Sequence, residues 1–218
     1  QTAPRLNHHR ASRAAIFYDG VMEAARLVLE NIQDAHRLGA TMVNYAAVDL
    51  FLMGQRGRVI GVGARDALSG RPMEIKARLV VNAAGPWGDV LRSKSSSAQS
   101  SLRLVRGSHL IFPQLFDDKL ALSFFDRQGR IVFAIPWGAA GELTLVGTTE
   151  VLHETDPDRV QISAAERDYL IDAVAEWLPH IRNHAPVGSY SSLRPLIANE
   201  SASLSSASRD VYRSRFSR

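Results

Sequence analysis

The chain has 218 residues, 45% of them hydrophobic, enough to bury one sizeable core or to divide between two lobes. It contains no cysteine, which excludes disulfides, thiolate nucleophiles and Cys-ligated zinc, and no apolar run approaches the roughly 20 residues needed to cross a bilayer. The net charge of +4 suits an anionic substrate or membrane headgroups and says nothing about fold.

Residues 1–15 are polar and irregular, with Pro4 and the pair His8-His9, and lack the apolar segment of a signal peptide. Asp19 is placed to cap a helix that Gly39 stops. Val21, Ala25, Val28, Ile32 and Ala35 recur at helical spacing and predict one inward face. Thr41–Ala46 reads as a strand, and Val59–Ala64 and Met73–Val81 as two more, joined by the turn Leu68–Arg71. The third ends in Asn82-Ala83-Ala84-Gly85-Pro86-Trp87. Small residues there let another group approach the backbone, and Pro86 fits the first position of a short helix over 86–91. Strand, tiny residues, then helix is how α/β proteins bring a nucleotide to their strand ends.

A Ser-rich stretch, 93–101, is the best candidate for a domain crossing or a mobile loop. Beyond it Leu102–Phe112, Leu120–Phe125, Arg130–Ile135 and Glu142–Gly147 read as successive strands, separated by the turns Asp126–Gly129 and Gly138–Gly141. That spacing predicts an antiparallel meander. Ser163 and Glu166 form a capping box for a helix running to about Leu178. Pro179 and Pro186 break the chain before a last strand around Ser189–Leu193. The fold class is therefore α/β plus α+β: a nucleotide-binding lobe over 16–100, an antiparallel cap over 101–190, and a return segment, 191–218, to the first lobe.

Two polar residues stand inside apolar strand-like runs. His109, in Arg106-Gly107-Ser108-His109-Leu110, could take a proton at neutral pH or be a core histidine satisfied by backbone. Arg194 lies between Leu193 and Pro195, an unusual place for a charge unless something pairs with it. Arg209 follows fifteen residues later, and either arginine could instead form a surface ion pair. The histidines carry no HExxH spacing or carboxylate partners, so no metal site is expected. Gly61-Val62-Gly63-Ala64 lacks the third glycine of a dinucleotide fingerprint, lies between strand-like runs and opens no helix. No Gly-x-Ser-x-Gly elbow suggests a hydrolase.

Taken in order, Phe17-Tyr18-Asp19-Gly20 leading into Ala24–Leu27, Arg106–His109, Val146-Gly147-Thr148-Thr149-Glu150 and Tyr190–Leu196 resemble the FAD-dependent, quinone-linked, aerobic-type glycerol-3-phosphate dehydrogenases, over about Ile16 to Tyr212. The resemblance implies an antiparallel substrate cap inserted into a doubly wound FAD-binding domain. It implies oxidation of sn-glycerol 3-phosphate to dihydroxyacetone phosphate, FAD as hydride acceptor and a quinone as the onward acceptor. It places His109 in the substrate pocket, as base or only as ligand, and Arg194 and Arg209 on the substrate. FAD contacts fall to Ala47, Val48, Ala83, Ala84 and Gly85, with Ala84 standing where relatives commonly have Thr. Thr148-Thr149 is a cap motif of the family, or equally a β-branched strand end.

The family's N-terminal glycine fingerprint and its later Gly-Gly-Lys segment are both missing. An internal piece of a longer enzyme is expected, holding FAD weakly, not turning over alone, and prone to self-association through an exposed sheet edge. The expected location is cytoplasmic, with peripheral contact on the inner membrane face. A flavin amine or amino-acid oxidase of similar architecture is the alternative, disfavoured by the Arg194-to-Arg209 spacing and by Arg106–His109. A nucleic-acid module built on the Ser/Arg run 201–218 lacks an aromatic platform.

Overall fold

A computed structural model of the chain describes residues 6–7, 14–94, 100–116 and 120–197. They fall into two units.

The smaller unit comprises described residues 14–84 and 90–94. Its helix α1 (Ala24–Arg37) is built from good helix formers and carries an Arg26–Glu30 ion pair one turn apart, at 2.8 Å. It ends where Gly39 takes φ +94°. Asp19 does not cap it: its carboxylate accepts the N–H of Gly20, four residues before the helix begins. The expected inward face is also uncovered, with no residue of α1 buried and Val28 57% exposed. An apolar stripe becomes a core only where a second element meets it.

Strand β1 (Ala46–Met53) starts later than expected, because Tyr45 enters it at φ 54° and its carbonyl accepts the Ala67 N–H. Ala47 and Val48 thus lie inside β1, not beyond a strand at Val43. Antiparallel pairing continues to β2 (Val59–Asp66) and β3 (Pro72–Lys76), in the order β1-β2-β3. Between them Asp66 accepts from Leu68 N–H and Ser69 Oγ, and Gly70 turns the chain at φ +74°. A side chain on Gly61 would collide with the Ile75 carbonyl and one on Gly63 would press on Leu50, so these glycines serve sheet packing. The run Leu79–Val81 is not a strand; Leu79 and Val81 are 79% and 77% exposed. Ladder bonds need a neighbour, and no described strand supplies one.

The larger unit holds described residues 85–89 and 100–197, with Leu6 and Asn7. A 3-10 turn, Gly85–Trp87, leads into α2 (Gly88–Ser93). Trp87 donates to Asp158 at 2.9 Å, so it is anchored by its polar edge. Asp89 accepts from the backbone of Ser101 and Leu102 and fixes the start of β4 (Leu102–Pro113). The meander follows as expected: β5 (Leu122–Phe125), β6 (Ile131–Trp137) and β7 (Leu143–Gly147), then the two-residue β8 (Val151–Leu152). Spatially the order is β5-β6-β7-β4, so β4 is central. β7 and β8 share one of its edges, and β9 (Gly188–Ile197) runs along the other from Leu102 to Ile111.

α3 (Ala164–Ala175) has the expected capping box, with Ser163 accepting from Glu166 N–H and Glu166 bonding back. Its Leu170 and Val174, with Leu178 and Ile181 beyond, bury Leu110, Phe112, Val132 and Val146 of the sheet. Each such side chain contributes roughly 1.5–3 kcal/mol. The expected boundary at 190/191 cuts an unbroken strand, because β9 stays paired to β4 through Ile197. Pro195 is tolerated there because β9 is an edge strand.

Candidate substrate face on the β4 sheet

Side chains alternate along β4. Arg106, Ser108, Leu110 and Phe112 form one face, toward α3; Val105, Gly107, His109 and Ile111 form the other. Residues directly opposite across a ladder share a face. Arg194 lies opposite Val105, Tyr190 and Gly147 opposite His109, and Phe133 opposite Gly147. The sheet register therefore brings His109 and Arg194 onto one surface from positions 85 residues apart in sequence. Arg209 lies outside the described residues, as do His8 and His9.

Each group sits over a glycine. The His109 ring lies where a Gly147 side chain would be, and stacks on Tyr190 from its other flank, with centroids 4.6 Å apart and planes 11° apart. The Arg194 guanidinium lies over Gly107: a Cβ there would come within 2.9 Å of Nη1, Nη2 and Thr148 Oγ1. The open space that Gly107 offers is thus filled by Arg194 rather than left for a ligand. Arg194 Nη2 donates to Thr148 Oγ1 at 3.4 Å. Burial, then the positive charge of Arg194, holds the His109 pKa below its ordinary value, so the ring is neutral at neutral pH.

Two atoms on this surface are left over. His109 Nδ1 and Arg194 Nη1 are both buried and without a hydrogen-bond partner. Such atoms cost about 1–3 kcal/mol each, more when charged. Nη1 can only donate, so it calls for an acceptor, and a guanidinium suits an oxyanion best.

The opposite face carries a buried polar network centred on Glu166. Glu166 accepts from Arg106 (Nη2, 2.6 Å), Ser108 Oγ (2.9 Å), Thr149 Oγ1 (2.7 Å) and Ser163 N–H (2.9 Å). Burial raises its pKa, but the bonds from Arg106, Ser163 and Thr149 outweigh this and bring it down to about 2. Thr149 Oγ1 also accepts the Ser108 N–H at 2.9 Å, tying the β7–β8 break to β4 beside Thr148. Thr149 is thus a framework residue, while Thr148 touches Arg194. Tyr190, Gly147 and the Glu166 network were missed as site features; buried Ser108 and Thr149, polar residues in apolar runs, were the available signal.

Ala47, Val48, Ala83 and Ala84 belong to the smaller unit, and Gly85 opens the larger. β1 is an edge strand, Ala84 N–H is held by Asn82 Oδ1 at 3.2 Å, and Gly85 (φ +54°) has open space where a Cβ would point. Among the described residues no cluster of three or more His, Cys, Asp or Glu could hold a metal, and no helix is long and apolar enough to cross a membrane.

The fold is shared with a glycine oxidase structure from Bacillus cereus, 18% identical, with a TM-score of 0.58 over 80% of this chain. Residues 1–213 match the family model described as FAD dependent oxidoreductase, and the chain belongs to that family. Within it, the chain is 34% identical to an alpha-glycerophosphate oxidase of Streptococcus pneumoniae, over 92% of this chain and 34% of that one. It is 36% identical to an aerobic glycerol-3-phosphate dehydrogenase of Bacillus subtilis, over 85% of this chain and 33% of that one. The structure of a glycerol-3-phosphate dehydrogenase from Bacillus halodurans complexed with FAD matches 88% of this chain and 41% of its own, with a TM-score of 0.73 and 32% identity. The chain spans about a third of the length of the curated relatives it matches.

Proposed function

We propose that this chain supplies the substrate face of an FAD-dependent oxidoreductase that converts sn-glycerol 3-phosphate to dihydroxyacetone phosphate. The observation carrying this reading is the pair of unpartnered buried atoms, His109 Nδ1 and Arg194 Nη1, on one surface. Oxidising a secondary alcohol removes a hydride from carbon and a proton from oxygen. FAD, when bound, supplies the hydride acceptor. His109, neutral because of burial and Arg194, accepts the hydroxyl proton at a ring nitrogen. Arg194 holds the phosphate through its free Nη1, and its other terminal nitrogen stays on Thr148. Arg209 is assigned to the same substrate from the family resemblance alone.

FAD contacts are assigned to Ala47, Val48, Ala83, Ala84 and Gly85 from the family resemblance; within the smaller unit the unpaired edge of β1 leaves main-chain groups for a ligand, and within the larger Gly85 offers open space. Support for glycerol 3-phosphate comes from the named relatives above. A quinone as final acceptor, peripheral membrane contact and self-association through the β1 edge belong to the same reading, supported by the aerobic dehydrogenase relative, the net charge of +4 and the unpaired edge.

The test is dye reduction by the intact enzyme with glycerol 3-phosphate, glycerol and a set of amino acids. Turnover with glycerol 3-phosphate alone is expected. Turnover with amino acids instead would return the chain to the amino-acid oxidases that share its fold.

A further inference from the structure

A general base is ordinarily oriented by a third group that hydrogen-bonds its far side. His109 has no such group: its ring makes no hydrogen bond to a described residue, and its Nδ1 is buried. The ring is nevertheless held in a slot. Tyr190, from β9, lies flat against one side, and the bare backbone of Gly147, from β7, leaves room for it on the other. These two strands flank β4 on opposite edges, so the slot is built by the sheet register and not by flexible loops.

We infer that Tyr190, acting with the side-chain-free Gly147, is the positioning residue that sets the His109 ring plane for proton transfer, in place of a hydrogen-bonded carboxylate or carbonyl. The inference rests on the proposed role of His109 as base. The Tyr190 hydroxyl makes no hydrogen bond to a described residue, so the ring, not the hydroxyl, carries the contact. Because no partner fixes the tautomer, both ring nitrogens stay free and the bound substrate selects between them. The charged or titratable groups facing His109 are Arg194 and Tyr190, both from β9. Gly147 and Thr148 on the β7 side and Gly107 and Ile111 on β4 carry none, and Glu166 and Arg106 lie on the opposite face. Tyr190 also shields the ring, adding to the burial that keeps it neutral.

The experiment is NMR of this chain labelled at histidine. It has seven histidines, and the His109 signal is the one lost in His109→Gln. In the parent, the His109 ring protons should be shifted upfield by the Tyr190 ring current; an unshifted signal overturns the proposal before any variant is made. Tyr190→Phe should keep both that shift and the parent titration midpoint. Tyr190→Leu, which keeps apolar bulk, and Tyr190→Ala should lose the shift, and Tyr190→Ala should move the midpoint up toward the ordinary value near 6.5. In the intact enzyme Tyr190→Ala should lower kcat by about 10–100-fold with little change in KM, and Tyr190→Phe should restore it. Phe, Leu and Ala variants that titrate and turn over alike would overturn the inference. The ring-current and titration readouts need no turnover, so an enzyme found to oxidise another substrate would sink the functional reading and leave this one standing.

Discussion

Glu166→Gln tests the framework behind the proposed substrate face. In the parent, donors from Arg106, Ser108, Thr149 and Ser163 converge on one carboxylate that is only 4% exposed. An amide of the same size turns one acceptor into a donor and sets it against donors, while leaving the partly buried Arg106 without its counter-charge. Removing one partner of such a buried pair costs about 3–5 kcal/mol. The lowered pKa expresses the same contacts as a comparable figure: a carboxyl held at about 2 rather than 4.5 contributes roughly 3 kcal/mol of folding stability. The folded value is the lower one, so this contribution is complete above pH 4.5 and is lost as pH falls through about 2. All three tryptophans, Trp87, Trp137 and Trp177, belong to the larger unit, so intrinsic fluorescence reports its unfolding. Urea unfolding at pH 7 should show the variant weakened by about 3–5 kcal/mol, and the gap should close by roughly 3 kcal/mol as pH falls from 5 to 2. A variant within about 0.5 kcal/mol of the parent at pH 7, with no pH-dependent gap, would refute the reasoning.

Four further outcomes follow from named contacts. Thr149→Val removes the hydroxyl that serves both Ser108 N–H and Glu166, and should cost about 2–3 kcal/mol in the same assay. Gly107→Ala should displace the Arg194 guanidinium and weaken phosphate or glycerol 3-phosphate binding by calorimetry about tenfold or more, with secondary structure unchanged by circular dichroism. Gly147→Ala drives a methyl into the His109 ring and should cost about 1–3 kcal/mol in urea unfolding. In the intact enzyme, kcat/KM should fall as pH drops through the lowered His109 pKa, with the acidic limb below the ordinary histidine value near 6.5. A limb at or above that value would argue against His109 as the base.

The larger unit was legible because its strands alternate and its turns carry their own chemistry: Asp126 and Gly129 close one hairpin, and Ser163 with Glu166 starts α3. His109 and Arg194 stood out as polar residues in apolar runs, a signal that needs no partner to be seen. Their meeting depends on the β4–β9 register, which pairs Val105 with Arg194 and is set by long-range packing. For the same reason the Tyr190 stack and the glycine seats were invisible in the one-dimensional pattern. The last strand, expected around Ser189–Leu193, runs on to Ile197, and its edge position accepts Pro195. In the smaller unit, Leu79–Val81 has the composition of a buried strand and remains exposed without a ladder partner among the described residues.

The most direct measurement is anaerobic reduction of the flavin in the intact enzyme by glycerol 3-phosphate, comparing the parent with Arg194→Lys. Lysine keeps the charge but loses the planar fork that would serve Thr148 and the phosphate together. The parent flavin should bleach with glycerol 3-phosphate and not with glycerol, and Arg194→Lys should need at least about tenfold more substrate for the same rate. Equal bleaching by parent and variant, or bleaching by glycerol as readily as by its phosphate, would contradict the assignment of Arg194 to the substrate.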